Sequence, residues 1–440
     1  MTAYRCGAAW LSGGAGGPVD IECDAGLITR IIPAGSDPGL EIDEVLPGVV
    51  FPGFADAHSH LFHRGLRGRT HGGAHRGGTF WTWRETMYRL ASRLDPDRFR
   101  ELALATYVEL VCAGFTAVGE FHYLHHGPGG KPYDDPNLMG LAAVQAGADA
   151  GLAVTLLDVA YLAGGFDEPV GEVQQRFSDR SADRWAARVA ALPSAVRVGA
   201  AIHSVRAVPR AALPVVAEVA TDRGWVLHAH VSEQPAENDA CLAATGRTPV
   251  ALLARAGAVH ARFAAVHATH LAPSDIAELG DAGASVVVCP TTEADLADGL
   301  PAAGALAAAG AALALGGDQH VITDPFAQAR GLEYGERLAT GMRGTFAPAD
   351  LVHAATAASH AAIASPAGRI AVGAPADLVA IRTDSARTAG ADPDQLVMAA
   401  AAADVAVVVV AGRVQARQGQ HVRFGDPGRL LAQAIGKAWE

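Results

Sequence analysis

Between residues 50 and 320 the chain repeats one pattern, a short apolar run followed by a longer helix-like segment. No other feature constrains the fold as much, because parallel strands need a long crossover and a helix supplies it. Eight runs read as strands, at 49–53, 116–121, 153–159, 196–202, 225–229, 263–266, 285–288 and 312–315. Runs such as VVVC and ALALGG are apolar throughout, as strands buried on both faces should be.

Polar residues gather at one end of these runs. The first leads into His58 and His60, and the second ends in Glu120 with Tyr123 just beyond. The fourth, fifth, sixth and eighth lead to His203, His230, His267 and Asp318. A barrel of eight β/α units carries its active site at the C-terminal ends of its strands. The expected fold is therefore α/β, a (β/α)8 TIM barrel over residues 48–366. The two ends of the chain read differently. Residues 1–47 contain VDIECDAGLITRIIP, and 367–440 contain GRIAVGAPADLVAI and DVAVVVVAGRVQARQG, both hairpin-like with glycine turns. Together they should form one small β-sandwich domain beside the barrel.

The net charge of −12 offers nucleic acid no basic patch. It also repels anions, so an anionic substrate needs a locally cationic pocket. The five cysteines are widely spaced without a C-x-x-C pair, which fits reduced thiols in the cytoplasm. The first residues, MTAYRCGAAWLSGG, do not read as a signal peptide. The weakly charged stretches 300–317 and 396–412 are rich in Ala, Gly and Val, and each reads as a barrel helix followed by a buried strand, not as a membrane span.

The sharpest local motif is Asp56-Ala57-His58-Ser59-His60. Side chains two apart on a strand share a face, so both imidazoles can reach one cation. His230, with Glu233 three residues on, and His267 and Asp318 follow at later strand ends. Three imidazoles and one carboxylate from this set supply four ligands and leave room for an activated water. The chain has only two lysines, Lys131 and Lys437, and neither lies in the fourth strand region. A two-metal site bridged by a carboxylated lysine on that strand cannot be built, so one metal is the simpler expectation.

The order H-x-H, His, His, Asp resembles the mononuclear deaminase branch of the amidohydrolase superfamily, over nearly the whole chain. The strings FWTWRETMYRLASRLDP, EFHYLHH, IHSVRAV, HVSEQPAENDACLAATGRTP, VHATHL and CPTTEADLADG resemble the formimidoylglutamate deiminase family in particular. That resemblance implies hydrolysis of N-formimino-L-glutamate to N-formyl-L-glutamate and ammonia, a step of histidine degradation. It implies one zinc ion per chain on His58, His60, His230 and Asp318, with Glu233, His267 and Asp318 catalytic. It also implies that His63, Arg84, Tyr123, His203 and Arg206 bind a small dicarboxylate, and that the protein is a homodimer. Two positions depart from the family pattern. His63 stands where glutamine is frequent, and Gly317-Asp318-Gln319-His320 where S-D-S-H is frequent.

The metal set alone leaves open a deaminase of another amidine, a guanidino acid or a nucleobase. The arginines discriminate, since a neutral heterocycle does not need them. Trp81 and Trp83 beside Arg84 suit a pocket. Of the remaining histidines, His71 and His75 sit in a Gly/Arg-rich loop that either covers the site or is solvated. His122, His125 and His126 read as mostly structural, His270 and His320 as partners behind the ligands, and Cys289 as packing.

Overall fold

The unbroken apolar run 49–55 serves two sheets in the computed structural model, which describes residues 1–71 and 80–440. Its first part completes β5 (Glu44–Pro52), which follows β1 (Thr2–Leu11), β2 (Gly14–Ala15), β3 (Val19–Asp24) and β4 (Leu27–Pro33). After Gly53 the chain enters β6 (Phe54–Ser59), the first barrel strand. The expected first barrel strand, 49–53, thus lies in the other sheet. With no polar break in the run, nothing in the sequence marks the crossing. Aromatic rings pack over this junction, with Phe51 6.1 Å from Phe54 and Phe54 5.2 Å from Phe326 between ring centres. Such pairs add about 0.5–1.5 kcal/mol each beyond the area they bury.

The barrel continues with β7 (Phe115–His122), β8 (Ala153–Ala160), β9 (Val198–Ile202), β10 (Leu227–Val231), β11 (Phe263–His267), β12 (Ser285–Val288) and β13 (Ala312–Leu315). Each pairs with the next in parallel, in strict sequence order. The ring closes at the C-terminal mouth, where Asp318 N–H donates to His58 O (2.8 Å) and His60 N–H donates to Asp318 O (3.0 Å). The interior is packed, not open. Small side chains including Ala55, Ala117, Val266, Val287 and Ala314 share a cluster with Ala362 and Ile363. The latter two seal the opposite end, where Thr155 Oγ1 donates to Ile363 O and His228 Nε2 meets Ala362 O.

Several helices start on proline behind a capping residue. Asp95 accepts from Arg98 N–H, Thr248 from Ala251 N–H, and Asp324 from Phe326 and Ala327 N–H. Proline in the first turn has no N–H to leave unsatisfied, and the cap oxygen occupies a donor that the helix cannot.

The remaining strands, β14 (Leu378–Ile381), β15 (Val405–Val410), β16 (Arg413–Arg417) and β17 (Gln420–His421), join the N-terminal ones in one mixed sheet. Its order is β17-β16-β15-β14-β5-β1-β3-β4, with β2 on β1. The edge strand β4 is met by the segment before β14, since Ile28 N–H donates to Ala374 O and Gly373 N–H to Ile28 O. The sheet thereby curls around its own core of Tyr4, Cys6, Ile21, Val50, Leu378 and Val409. Of the two weakly charged stretches, 300–317 forms a helix (Ala303–Ala309) and β13 as expected. The other, 396–412, holds short 3-10 turns and then β15, so its strand belongs to the mixed sheet and not to the barrel. The last helix, Pro427–Trp439, returns to the barrel, where Trp439 Nε1 donates to Gly65 O. Among the described residues no helix is long and apolar enough to cross a membrane.

Candidate active site

Four side chains from distant parts of the chain meet at the barrel mouth. His58 Nε2 and His60 Nε2 lie 3.3 and 3.2 Å from Asp318 Oδ1. His230 Nε2 lies 3.0 Å from His58 Nε2 and 3.3 Å from His60 Nε2. All four are buried. A tetrahedral ion with bonds of about 2.0–2.1 Å sets its ligand atoms about 3.3 Å apart, which is the spacing found here. The second nitrogens of two rings are tied to backbone: His60 Nδ1 to Phe121 O (3.0 Å) and His230 Nδ1 to His203 O (2.9 Å). A carbonyl can only accept, so each Nδ1 carries the proton and each Nε2 offers a lone pair to the centre. Burial depresses the His58 imidazole to about 3 and holds His230 well below its ordinary value. Burial would raise Asp318, but His58 and His60 outweigh it and keep the carboxyl well below the usual range. Ring nitrogens facing one carboxylate oxygen make a donor set that suits a divalent cation.

Local backbone geometry serves this convergence. Asp318 has φ +46° and His267 φ +65°, conformations that cost energy for residues with a side chain. Gly316 and Gly317 permit the close approach that precedes Asp318. A Cβ on Gly317 would fall 2.7 Å from Asp56 Oδ2, and one on Gly316 2.9 Å from His58 Cβ. Asp56 in turn accepts Gly317 N–H (2.8 Å) and His58 N–H (3.2 Å), which locks the first histidine strand to the last.

Glu233 and His267 stand beside this cluster. His267 Nε2 is 3.9 Å from Glu233 Oε1, and its Nδ1 is 3.4 Å from Glu293 Oε1. Burial alone would lower the His267 imidazole, but Glu233, Glu293 and Asp318 together push it up to about 10. Burial raises the Glu233 carboxyl. Glu293 opens the helix Pro290–Leu296 and also accepts Cys289 N–H. The CPTTEADLADG string contained it, yet only the fold shows that it orients His267.

One cavity adjoins these groups. His60, His63, Arg84, Tyr123, His203, Arg206, His230, Glu233, His267 and Asp318 all line it. His58 lies behind it, fully buried. His63 Nε2 is 2.8 Å from Tyr123 Oη, and burial keeps that imidazole well below its ordinary value. The Arg84 guanidinium lies 5.6 Å from the centre of the Tyr88 ring, a cation–π distance. Arg206 Nε is 3.9 Å from Glu237 Oε1, and burial pushes the Glu237 carboxyl up to about 7. Reading the sequence did not single out Glu237, Tyr88, Tyr161 or Gln174; none sits in a motif of metal or nucleophile type. His75 and the Trp81 side chain lie outside the described residues.

Other histidines fall where their contacts explain them. His126 Nε2 meets Asp179 Oδ1 (3.0 Å), and His125 Nε2 meets Val159 O (2.9 Å). His320 Nε2 lies 2.9 Å from Ser59 Oγ, which also donates to Glu120. His270 Nε2 meets Asp298 O, and His71 Nε2 meets Asp295 Oδ1. Cys289 is buried at the end of β12 in the barrel interior.

A barrel whose last strand closes on an H-x-H strand, with a four-ligand cluster at the mouth, defines a class of metal-dependent hydrolases. The chain belongs to the amidohydrolase family, whose model matches residues 49–415. Within that class, it is 35% identical over 436 residues to formimidoylglutamate deiminase of Pseudomonas aeruginosa, with 95% of each chain covered. It is also similar to 8-oxoguanine deaminase of the same organism, at 28% identity over 326 residues, 72% of this chain and 71% of the relative. Among solved structures, an amidohydrolase from Brucella melitensis superposes with a TM-score of 0.89 at 33% identity, with both chains covered completely.

Proposed function

We propose that this enzyme carries out the zinc-dependent hydrolytic deamination of N-formimino-L-glutamate, giving N-formyl-L-glutamate and ammonia, a step of histidine degradation. One observation carries the reading: a single cavity has a four-ligand cluster at one side and two guanidinium side chains, Arg84 and Arg206, on its wall. The first feature serves hydrolysis, and the second serves a substrate with two carboxylates. The likeness to the Pseudomonas aeruginosa deiminase points the same way.

One zinc ion per chain on His58, His60, His230 and Asp318 would supply a water acidified to a pKa of about 7. The chain's own groups do the rest. Asp318 directs Oδ1 at the histidines, and its other oxygen is left to take a proton from that water. Glu233, beside His267 Nε2, carries a proton to the departing nitrogen, a role worth about 10²–10⁴-fold. Glu293 holds His267 by Nδ1, so Nε2 faces the reacting centre and supports charge as it develops. His63, Tyr123 and His203 give single polar contacts, and the two arginines meet the carboxylates.

Among the described residues all five cysteines are free thiols, which supports a reducing, cytoplasmic setting. We read the assembly as a homodimer. The direct test is ammonia release by zinc-loaded protein. N-formimino-L-glutamate should be the preferred substrate, and preference for another amidine, a guanidino acid or a nucleobase would overturn the reading. Arg206→Met should raise KM for the dicarboxylate about 10-fold or more, the worth of a charged hydrogen-bonded pair.

A further inference from the structure

Two phenols wall the same cavity as the arginines, and one amide ties them together. Tyr88 lies on the helix Phe80–Arg93, Tyr161 just beyond β8, and Gln174 on the 3-10 turn Val173–Arg176. Gln174 Nε2 is 2.7 Å from Tyr161 Oη and 3.1 Å from Tyr88 Oη. Gln174 Oε1 accepts the N–H of Gly171 at 2.7 Å.

These distances fix where the protons are. A backbone N–H can only donate, so the Gln174 atom facing Gly171 must be oxygen. The amide orientation follows, and both of its N–H bonds point at the phenols. Each phenol oxygen therefore accepts from Gln174 and has its own hydrogen to give elsewhere. The two phenols are close enough to interact with each other. A chain in which one donates to the other still leaves one hydrogen directed into the cavity. Burial holds the Tyr161 phenol well above its ordinary value, so it stays a donor. Both phenols lie within the field of Arg206, and the Tyr88 ring faces Arg84.

A buried carboxylate has about four acceptor sites, and one guanidinium fork fills two. Unfilled acceptors on a buried anion are costly. We propose that Tyr88 and Tyr161, preset by Gln174, form a donor face that completes the binding of a substrate carboxylate beside Arg84 and Arg206. Gln174 is then a positioning residue for anion specificity, and the phenols touch the substrate. The inference rests on the dicarboxylate reading given above.

The decisive variant is Gln174→Glu, which keeps shape and still accepts Gly171 N–H. A carboxylate there accepts from both phenols, turns their hydrogens away from the cavity and adds a negative charge. The probe is glutarate, a dicarboxylate without a reacting group, titrated calorimetrically into metal-loaded protein. Gln174→Glu should weaken its binding by more than about 10-fold, and Tyr161→Phe or Tyr88→Phe by about 10-fold each. In the Gln174→Glu background, Tyr161→Phe should cost almost nothing further, because that hydroxyl has already turned away. A purely structural role for Gln174 would not produce this non-additivity. The phenylalanine variants keep the ring packing, so they remain informative if the glutamate variant does not fold. Parent-like glutarate binding in these variants overturns the donor face, as does a parent that binds no glutarate at millimolar concentration. A parent that binds glutarate, with the expected losses in its variants, but releases no ammonia from N-formimino-L-glutamate sustains the donor face and removes the substrate reading instead.

Discussion

At Arg188, one guanidinium spends its donors on Asp158, Asp179 and Asn137, with six contacts between 2.8 and 3.2 Å among them. At the metal cluster, His230 Nε2 instead faces the ring nitrogens of His58 and His60, at 3.0 and 3.3 Å. Both clusters are buried at the same end of the barrel strands, and both contain groups that hydrophobic burial should penalise. The first is complete in its charged members, the guanidinium and both carboxylates. Its cation sits between two carboxylates, His126 caps Asp179, and Trp185 Nε1 donates to Asp158. The second is complete only around a cation, because lone pairs cannot bond to lone pairs. Burial therefore does not separate a functional cluster from a scaffold cluster. The balance of donors and acceptors does.

The largest expected effect attacks the incomplete cluster. Asp318→Ala should abolish stoichiometric zinc in the purified protein and lower kcat/KM by about 10⁴-fold or more, since a bound ion supplies several kcal/mol to the transition state. Glu233→Gln should keep the zinc while kcat falls by about 10²–10⁴-fold. Metal analysis beside steady-state kinetics separates the two. If metal-free protein kept full activity, the contrast between the clusters would have no functional meaning.

The complete cluster should respond in the opposite currency. Arg188→Met leaves two carboxylates buried without their cation, and breaking such a pair by removing one partner costs about 3–5 kcal/mol. Urea unfolding should show that loss, while the folded fraction still carries its zinc. A variant as stable as the parent would show that Arg188 does not hold the frame, and one that folds but binds no metal would place Arg188 with the site.

These two clusters also mark what the chain discloses before folding. The H-x-H pair, His230 and Asp318 were legible because each ends an apolar run, and strand ends meet at one mouth in a barrel. Arg84 and Arg206 were legible mainly through the resemblance, with the tryptophans beside Arg84 as the one local cue, since an arginine carries no periodicity of its own. Glu293, Glu237 and Gln174 were not legible, because their partners lie on other elements and only tertiary packing names them. The same holds for the crossing at Gly53, where one apolar run feeds two sheets. Arg188 was equally silent. Its helix, Ala182–Ala190, reads as an ordinary amphipathic one, and nothing local tells a buried guanidinium from a solvated one.

The smallest expected effect is a pH slope that belongs to the complete cluster alone. Burial would raise the Asp179 carboxyl, but His126 and Arg188 outweigh it and hold it well below the usual range. A carboxylate with a depressed folded pKa binds fewer protons than the unfolded chain does in the window between the two values. Its stabilisation is therefore fully present above the unfolded value of about 3.9, and is lost as pH falls toward the folded one. Between about pH 5 and pH 3 the parent should lose stability more steeply than Asp179→Asn, by at most about 1.4 kcal/mol per pH unit for one group. Acid effects at the metal cluster are common to both proteins, so the difference between the two unfolding series reports the Asp179 carboxylate together with its partners His126 and Arg188. Equal slopes would mean that the charge of Asp179 is not held by Arg188 in solution. The cluster would then be less complete than its geometry indicates, and its contrast with the histidine cluster correspondingly weaker.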